Sequence, residues 1–147
     1  MIESLNILFP EIFLSISIFF LLLLGVFIKD SYNLITKLSL LALASTLFII
    51  LKEDNVLIKI FSDSFVRNSF TSFIKILIIV SSIFIINSSQ IYIKDQKIAK
   101  FEYPIIILLS ILGMFFMVSS NDIILFYLGL ELQSLSLYIL AAIDRDN

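Results

Sequence analysis

Long apolar runs alternate with short polar segments along the whole chain. A helix rises about 1.5 Å per residue and a bilayer core is about 30 Å thick, so each run is close to the length that spans a membrane. We predict helices over residues 12–28, 34–51, 70–93, 104–118 and 122–143. The pattern therefore predicts an all-α, polytopic transmembrane helix bundle of about five transmembrane helices, forming a single transmembrane domain over residues 1–147.

Polar residues between the runs predict where the helices begin and end. Pro10 suits the first position of a helix, and Glu11 suits the positive end of the helix dipole. The segment Asn55–Ser69 mixes apolar and charged residues, which predicts an interfacial loop with one amphipathic turn.

Lys75 lies near the start of the third helix, so we expect its long side chain to reach outward to the headgroups. The alternative is a functional role inside the membrane. Ser119–Asp122 predicts a turn and N-cap before the fifth helix.

Composition narrows the class of function. Sixty per cent of the 147 residues are hydrophobic, which is typical of a membrane protein and not of a water-soluble domain. The formal net charge is −2, with no basic patch of the kind that binds nucleic acid. Cysteine and histidine are absent, so this chain offers no disulfide and no haem or iron–sulfur ligand. It also lacks a glycine-rich phosphate loop, and we expect no cofactor-binding or metal site in it.

The distribution of basic residues predicts the orientation. An odd number of helices puts the termini on opposite sides, and one side carries six basic residues against four on the other. The six are Lys29, Lys37, Lys94, Lys97, Lys100 and Arg145, and the four are Lys52, Lys59, Arg67 and Lys75. By the positive-inside rule, the N-terminus lies on the intermembrane or periplasmic side.

One carboxylate, Glu131, lies in the middle of the apolar run Phe126–Ala142. If the helix begins near Asp122, this residue is about 13 Å along it, near the centre of the hydrocarbon layer. A charge there costs about 2.5–3.5 kcal/mol on insertion scales, so such residues normally face a bundle interior and mark an ion or proton path. The alternative is a buried acid that only holds helices together.

Further polar residues accompany this carboxylate. Tyr127, Ser134 and Tyr138 share its helix face at i, i+4, i+7 and i+11 spacing, while Gln133 and Ser136 lie on the flanks. Hydroxyl groups beside one acid can hold water and line a proton path. They can equally form hydrogen bonds between helices, each worth about 0.6 kcal/mol in lipid. The spacing leaves both interpretations open.

The sequence of the carboxyl half resembles a known family. The run Lys100–Ala142, KFEYPIIILLSILGMFFMVSSNDIILFYLGLELQSLSLYILAA, closely resembles chain 2 of NADH:ubiquinone oxidoreductase (respiratory complex I), called chain N in bacteria. Leu8–Glu11 looks like the beginning of that family's first helix, so the resemblance covers essentially the whole chain. It implies the N-terminal part of an antiporter-like fold. It also implies that Glu131, in the Leu-Glu-Leu-Gln-Ser motif, is the proton-path acid.

The resemblance further implies a function. The chain is expected to be a non-redox membrane-arm subunit of proton-pumping complex I, contributing to proton translocation coupled to electron transfer from NADH to ubiquinone. NADH, flavin, iron–sulfur clusters and quinone would belong to other subunits. The expected location is the mitochondrial inner membrane, since the Ile- and Phe-rich composition is typical of A/T-rich organelle genomes; the bacterial plasma membrane is the alternative.

Family members continue to a broken seventh helix, which carries a lysine opposite the glutamate. We therefore expect this chain to be the amino-terminal piece of a split subunit, packed against a separate chain that carries the remaining helices and the lysine. We also expect the five helices of this chain to contain no buried cation of their own. Other antiporter-like subunits, small membrane-arm subunits and membrane lipids are the remaining expected partners.

Two other functions stay open. The chain could be a structural membrane-arm component that does not pump, or a subunit of a cation/proton antiporter. A carboxylate of Glu131 that faced lipid, or that was walled off from water and cations, would favour the structural role.

Overall fold

All five long apolar runs form helices in a computed structural model, which describes residues 1–54, 56–95 and 100–143. The elements are α1 (Ile2–Ile7), α2 (Phe9–Phe27), α3 (Tyr32–Leu51), β1 (Ile58–Ile60), β2 (Phe65–Arg67), α4 (Ser69–Asp95), α5 (Glu102–Ser119) and α6 (Ile123–Ala142). The helices α2 to α6 are long and apolar enough to cross a membrane. The predicted all-α bundle of five transmembrane helices is confirmed.

The first transmembrane helix begins earlier than the hydrophobic pattern predicts. Helix α2 starts at Phe9, and a short helix, α1, precedes it. Pro10 lies in the first turn of α2, where its missing N–H leaves no hydrogen bond unmade. Helix α2 therefore includes Glu11, and the carboxylate is carried into the bundle instead of remaining at the surface.

The loop between α3 and α4 differs from the expected amphipathic turn. Strands β1 and β2 pair antiparallel as a hairpin, with Ile58 opposite Arg67 and Ile60 opposite Phe65. The turn uses left-handed backbone at Phe61, with a φ of 55°. This conformation is uncommon for an aromatic residue. A three-residue strand is too short to give a clear alternating pattern, which is why the sequence did not indicate it.

The hairpin is bound to the turn between α5 and α6. Phe65 is 1% exposed and forms an antiparallel bridge with Ser120, in the turn between α5 and α6. The backbone N–H of Asn121 donates to the carbonyl of Ser64 at 2.8 Å, and its side-chain amide donates to the carbonyl of Asp63 at 2.9 Å. The hairpin and this turn therefore close the same end of the bundle, which we call the hairpin end.

Helix α5 lies at the centre of the bundle. It packs against α2, α3, α4 and α6, and Leu108, Ile111 and Phe115 are almost fully buried. In the apolar span of α5, 56% of the residues are buried, against 11% in that of α6. Helix α6 is therefore the peripheral helix of the described chain.

Two glycines fix α6 against α5. A Cβ atom added at Gly129 would lie 2.8 Å from the carbonyl oxygen of Gly113, and one added at Gly113 would lie 2.8 Å from the backbone nitrogen of Gln133. Small residues allow membrane helices to approach until their backbones touch. This contact sets the rotation of α6 about its axis, and with it the direction in which the polar stripe points.

Candidate functional site

Glu131 lies in the middle of α6. The helix is preceded by Asp122, whose Oδ1 accepts a hydrogen bond from the backbone N–H of Leu125 at 2.8 Å. Such a bond is typical of an N-cap residue. Glu131 is then about 12 Å from the first residue of the helix. Its side chain is partly exposed in the described chain.

The carboxylate points away from α5. Two residues turn an α-helix by a little more than half a revolution, so Glu131 lies on nearly the opposite side of α6 from Gly129, the residue that touches α5. Tyr127 and Tyr138 share this outer face and are 56% and 69% exposed, and Ser134 is half-buried there. The described helices leave the face that carries the four predicted site residues largely uncovered. Their role in a proton path stays a prediction.

The flanking residues lie on the other side of α6. Ser136 is 3% exposed and its hydroxyl donates to the carbonyl of Leu132, one turn back in the same helix, at 2.8 Å. The backbone of Gln133 touches Gly113. The inner face of α6 is thus built from close backbone packing, and the hydroxyl of Ser136 is satisfied within the helix.

Glu131 has no cation beside it in residues 1–54, 56–95 and 100–143. The ion pairs in these ranges join Glu53 to Arg67 and Glu11 to Lys75. Among the same residues there is also no group of three or more histidine, cysteine, aspartate or glutamate side chains that could hold a metal ion. The described helices therefore place no ion-pair partner beside Glu131.

A buried ion pair lies elsewhere in the bundle, at the hairpin end. The ammonium of Lys75 on α4 donates to Oε1 of Glu11 on α2, and the two residues are 4% and 2% exposed. The prediction that Lys75 reaches outward is therefore wrong, and so is the prediction that the helices contain no buried cation. Glu11 lies on a second helix at the same level, so each of the two buried charges has an opposite charge beside it.

One signal in the sequence could have indicated this pair. The first and third transmembrane helices begin on the same side of the membrane, and each carries one charge within its first two turns. Opposite charges at matching depth on helices that run in the same direction are natural partners. When Glu11 and Lys75 are each considered only by their distance from the end of their own helix, the pairing is not evident.

The surroundings of Lys75 include aromatic rings and a second ion pair. Its Nζ lies 5.3 Å from the ring centre of Phe65 and 5.6 Å from that of Phe115. Both distances are within the range of cation–π attraction. Nearby, Nη1 of Arg67 lies 3.5 Å from Oε1 of Glu53. We call Glu11, Glu53, Arg67 and Lys75 the hairpin-end cluster.

The surroundings of Glu53 disfavour its charged form. Burial raises the pKa of Glu53 to about 7, against the lowering effects of the positive charges on Arg67 and Lys75, and the negative charge of Glu11 raises it further. Glu53 follows the last turn of α3 and so lies outside the membrane-spanning segments.

Three comparisons with known proteins bear on the family. Subunit N of NADH-quinone oxidoreductase from Pelagibacter ubique (strain HTCC1062) is 48% identical over 145 residues, covering 98% of this chain. The subunit of the same name from Paramagnetospirillum magneticum is 42% identical over 150 residues, and that from Parvibaculum lavamentivorans is 45% identical over 140 residues. The chain is a homologue of NADH-quinone oxidoreductase subunit N. The resemblance seen in the sequence is confirmed.

Subunit N is longer than this chain, which spans 31% of the Pelagibacter and Paramagnetospirillum proteins and 29% of the Parvibaculum protein. A chain in the solved structure of respiratory complex I from Thermus thermophilus with bound aureothin has the same fold, with a TM-score of 0.76 at 21% identity. The match covers 90% of this chain and 28% of the Thermus chain. No family model matches the chain.

Proposed function

We propose that the chain is a non-redox membrane-arm subunit of a proton-translocating NADH-quinone oxidoreductase, and that Glu131 is its proton-path acid. The observation that carries this proposal is the position of Glu131, in mid-helix on the face of α6 opposite the contact with α5. The similarity to subunit N supports the assignment to this complex. The reactions of NADH, flavin, iron–sulfur clusters and quinone take place in other subunits, and this chain contributes by coupling.

The outer face of α6 requires further helices. A carboxylate left in hydrocarbon costs about 2.5–3.5 kcal/mol. Leu128 and Leu135 on the same side are more than half exposed. The relatives are about three times as long as this chain, so their sequences have room for further helices that would cover this face. We propose that such helices, on whichever polypeptide carries them, pack on the outer face of α6.

A partner charge on those helices would make Glu131 work as a proton carrier. Moving one charge through 100 mV costs about 2.3 kcal/mol. The approach and retreat of one buried cation, such as a lysine, would change the energy of the ionised carboxylate by an amount of that order. The hydroxyls of Tyr127, Ser134 and Tyr138 would line the path.

A purely structural role is the rival interpretation. An acid that only holds α5 and α6 together would point between them, where Gly129 and Ser136 lie. Glu131 points the other way, with the remaining polar residues of the stripe. This arrangement argues only against a role in holding α5 to α6. An outer face that meets lipid in the assembled complex would favour the structural role, whereas helices that cover it and bring a cation would favour the proton path. No observation specifically favours a cation/proton antiporter.

The location follows from the relatives and from the basic residues. The relatives named above are bacterial, which supports the plasma membrane, and the expected mitochondrial inner membrane finds no support among them. We propose that the hairpin end faces the periplasm. Lys75 is buried and the side chain of Arg67 is only 12% exposed, so the hairpin side keeps two exposed basic residues, Lys52 and Lys59. The other side has four in the described ranges, with Lys97 and Arg145 outside them.

The decisive experiment replaces the carboxylate without changing its volume. Glu131→Gln should leave assembly of the complex intact and lower the number of protons translocated per electron. The matched control is Glu3→Gln, the same chemical change on the exposed face of α1. Inside-out membrane vesicles with NADH and a quinone provide both the electron rate and the proton uptake. Unaltered stoichiometry in an assembled Glu131→Gln complex would refute the proton-path role.

A further inference from the structure

The hairpin-end cluster brings two acids and two bases together from four different segments. Glu11 comes from α2, Glu53 follows α3, Arg67 ends β2 and Lys75 comes from α4. Glu11 and Lys75 are 2% and 4% exposed, and the side chains of Glu53 and Arg67 are 11% and 12% exposed. With every group ionised, the cluster carries no net charge. Burying four charges is costly unless each is paired and hydrogen-bonded.

The pairing is uneven. Lys75 and Glu11 form a direct hydrogen bond within their ion pair. Nη1 of Arg67 and Oε1 of Glu53 are 3.5 Å apart. That distance is longer than a hydrogen bond. In the part of the chain that the structure describes, Oε1 of Glu53 and Nε of Arg67 are buried without a hydrogen-bond partner, as is Oε2 of Glu11, the oxygen that does not bind Lys75. The negative charge of Glu53 is therefore less well compensated than the charges of the deeper pair.

Glu53 can also be reached from outside the bundle. It lines a cleft of about 260 Å³, which runs along the first turns of α4 past Ser69 and Ser72. On its other side it lines a cleft of about 310 Å³ with Asn6 and Lys52. Both clefts lie at the hairpin end of the bundle, beside the end of α3.

We propose that Glu53 is a proton-binding residue that exchanges protons with the aqueous phase at the hairpin end, and that its charge is coupled to the buried Lys75–Glu11 pair. The step is a simple protonation. A proton from water binds a carboxylate oxygen of Glu53, the acid becomes neutral, and the charge of the cluster changes from zero to +1. The electrostatic field at the Lys75–Glu11 pair changes with it.

The charged groups around Glu53 fix the direction of each effect. Arg67 and Lys75 favour its ionised form, and burial and Glu11 favour the protonated form. Lys52 lines the outer cleft beside it. Burial raises the pKa of Glu53 to about 7, so the proton is gained and lost in the physiological range. The contrasting interpretation is a permanently ionised cluster that only locks the hairpin to the helices.

The proposal can be tested by infrared spectroscopy on the intact complex. The C=O stretch of a protonated glutamic acid appears and disappears as the pH is varied, and this measurement needs no turnover, so it does not depend on the proposed function. The wild-type complex should show a carboxyl band that titrates at about pH 7. Glu53→Gln should abolish that band. The matched control, Asp54→Asn, removes the neighbouring exposed acid and should retain the band.

Two further variants, at the ion-pair partner of Glu53, test whether Glu53 is the titrating acid and keep the proposal falsifiable if Glu53→Gln does not assemble. Arg67→Gln removes a cation and should raise the midpoint of the band by about one pH unit, whereas Arg67→Lys should leave it nearly unchanged. A band at neutral pH that survives in Glu53→Gln would overturn the proposal. So would a midpoint that is the same in Arg67→Gln and Arg67→Lys, because the titrating acid would then lie elsewhere.

Discussion

Removing one member of the Lys75–Glu11 pair should destabilise the protein, and the two single substitutions should do so by different amounts. Lys75→Met removes the cation and leaves a carboxylate that is 2% exposed without its partner. Breaking one side of a buried ion pair costs about 3–5 kcal/mol. At about 2–4 °C per kcal/mol for a chain of this size, the midpoint of thermal unfolding should fall by roughly 10 °C.

The opposite substitution should cost less. Glu11→Gln leaves the ammonium of Lys75 between the rings of Phe65 and Phe115. These rings retain a cation–π attraction of about 0.5–2 kcal/mol. The double variant Glu11→Gln/Lys75→Met buries no charge at this site. It should therefore melt closer to the wild-type protein than either single variant does, because replacing both members of a buried pair is often nearly neutral.

The assay is the heat-induced loss of the chain from detergent-solubilised membranes, followed by quantitative immunoblotting. Lys37→Met is the matched control, since Lys37 is an exposed lysine on a transmembrane helix and its loss should not change the midpoint. A Lys75→Met variant that melts with the wild-type protein would refute the reasoning. A double variant less stable than both single variants would show that side-chain packing matters here more than charge.

Three other predictions follow from the packing, the titration and the orientation. Gly129→Ala should separate α5 from α6 and cost about 1–3 kcal/mol in the same melting assay, whereas Ala141→Ser on the exposed side of α6 should not. Folding raises the pKa of Glu53 from 4.5 to about 7, so the folded state binds its proton more tightly, and thermal stability should fall as pH rises through this interval. After allowance for solvent screening, the free energy of unfolding should fall by about 1–2 kcal/mol over this pH interval. A Glu53→Gln variant whose stability has the same pH dependence as the wild-type protein would contradict this prediction. The chain has no cysteine, so an introduced cysteine is its only thiol. A membrane-impermeant thiol reagent should label the Lys59→Cys variant only from the outer side of the membrane and the Lys100→Cys variant only from the inner side.

Much of the fold could be predicted from the sequence because membrane helices are encoded locally. Each transmembrane helix satisfies its own backbone hydrogen bonds, so an apolar run of sufficient length specifies the element without reference to the rest of the chain. The placement of Tyr127, Glu131, Ser134 and Tyr138 on one face also followed from helical periodicity alone. The subunit N resemblance rested on a local run of residues in the same way.

Tertiary structure decided which way these faces point and which charges meet. The direction of Glu131 depends on the contact between Gly129 and Gly113, two residues that lie on different helices. From its distance to the helix end alone, Lys75 is expected to place its ammonium at the membrane–water interface. Its actual partner, Glu11, lies 64 positions away along the chain, and only the packing of the bundle places the two charges together. Sequence periodicity fixes geometry within one helix, whereas the energy of a buried charge depends on its neighbours in space.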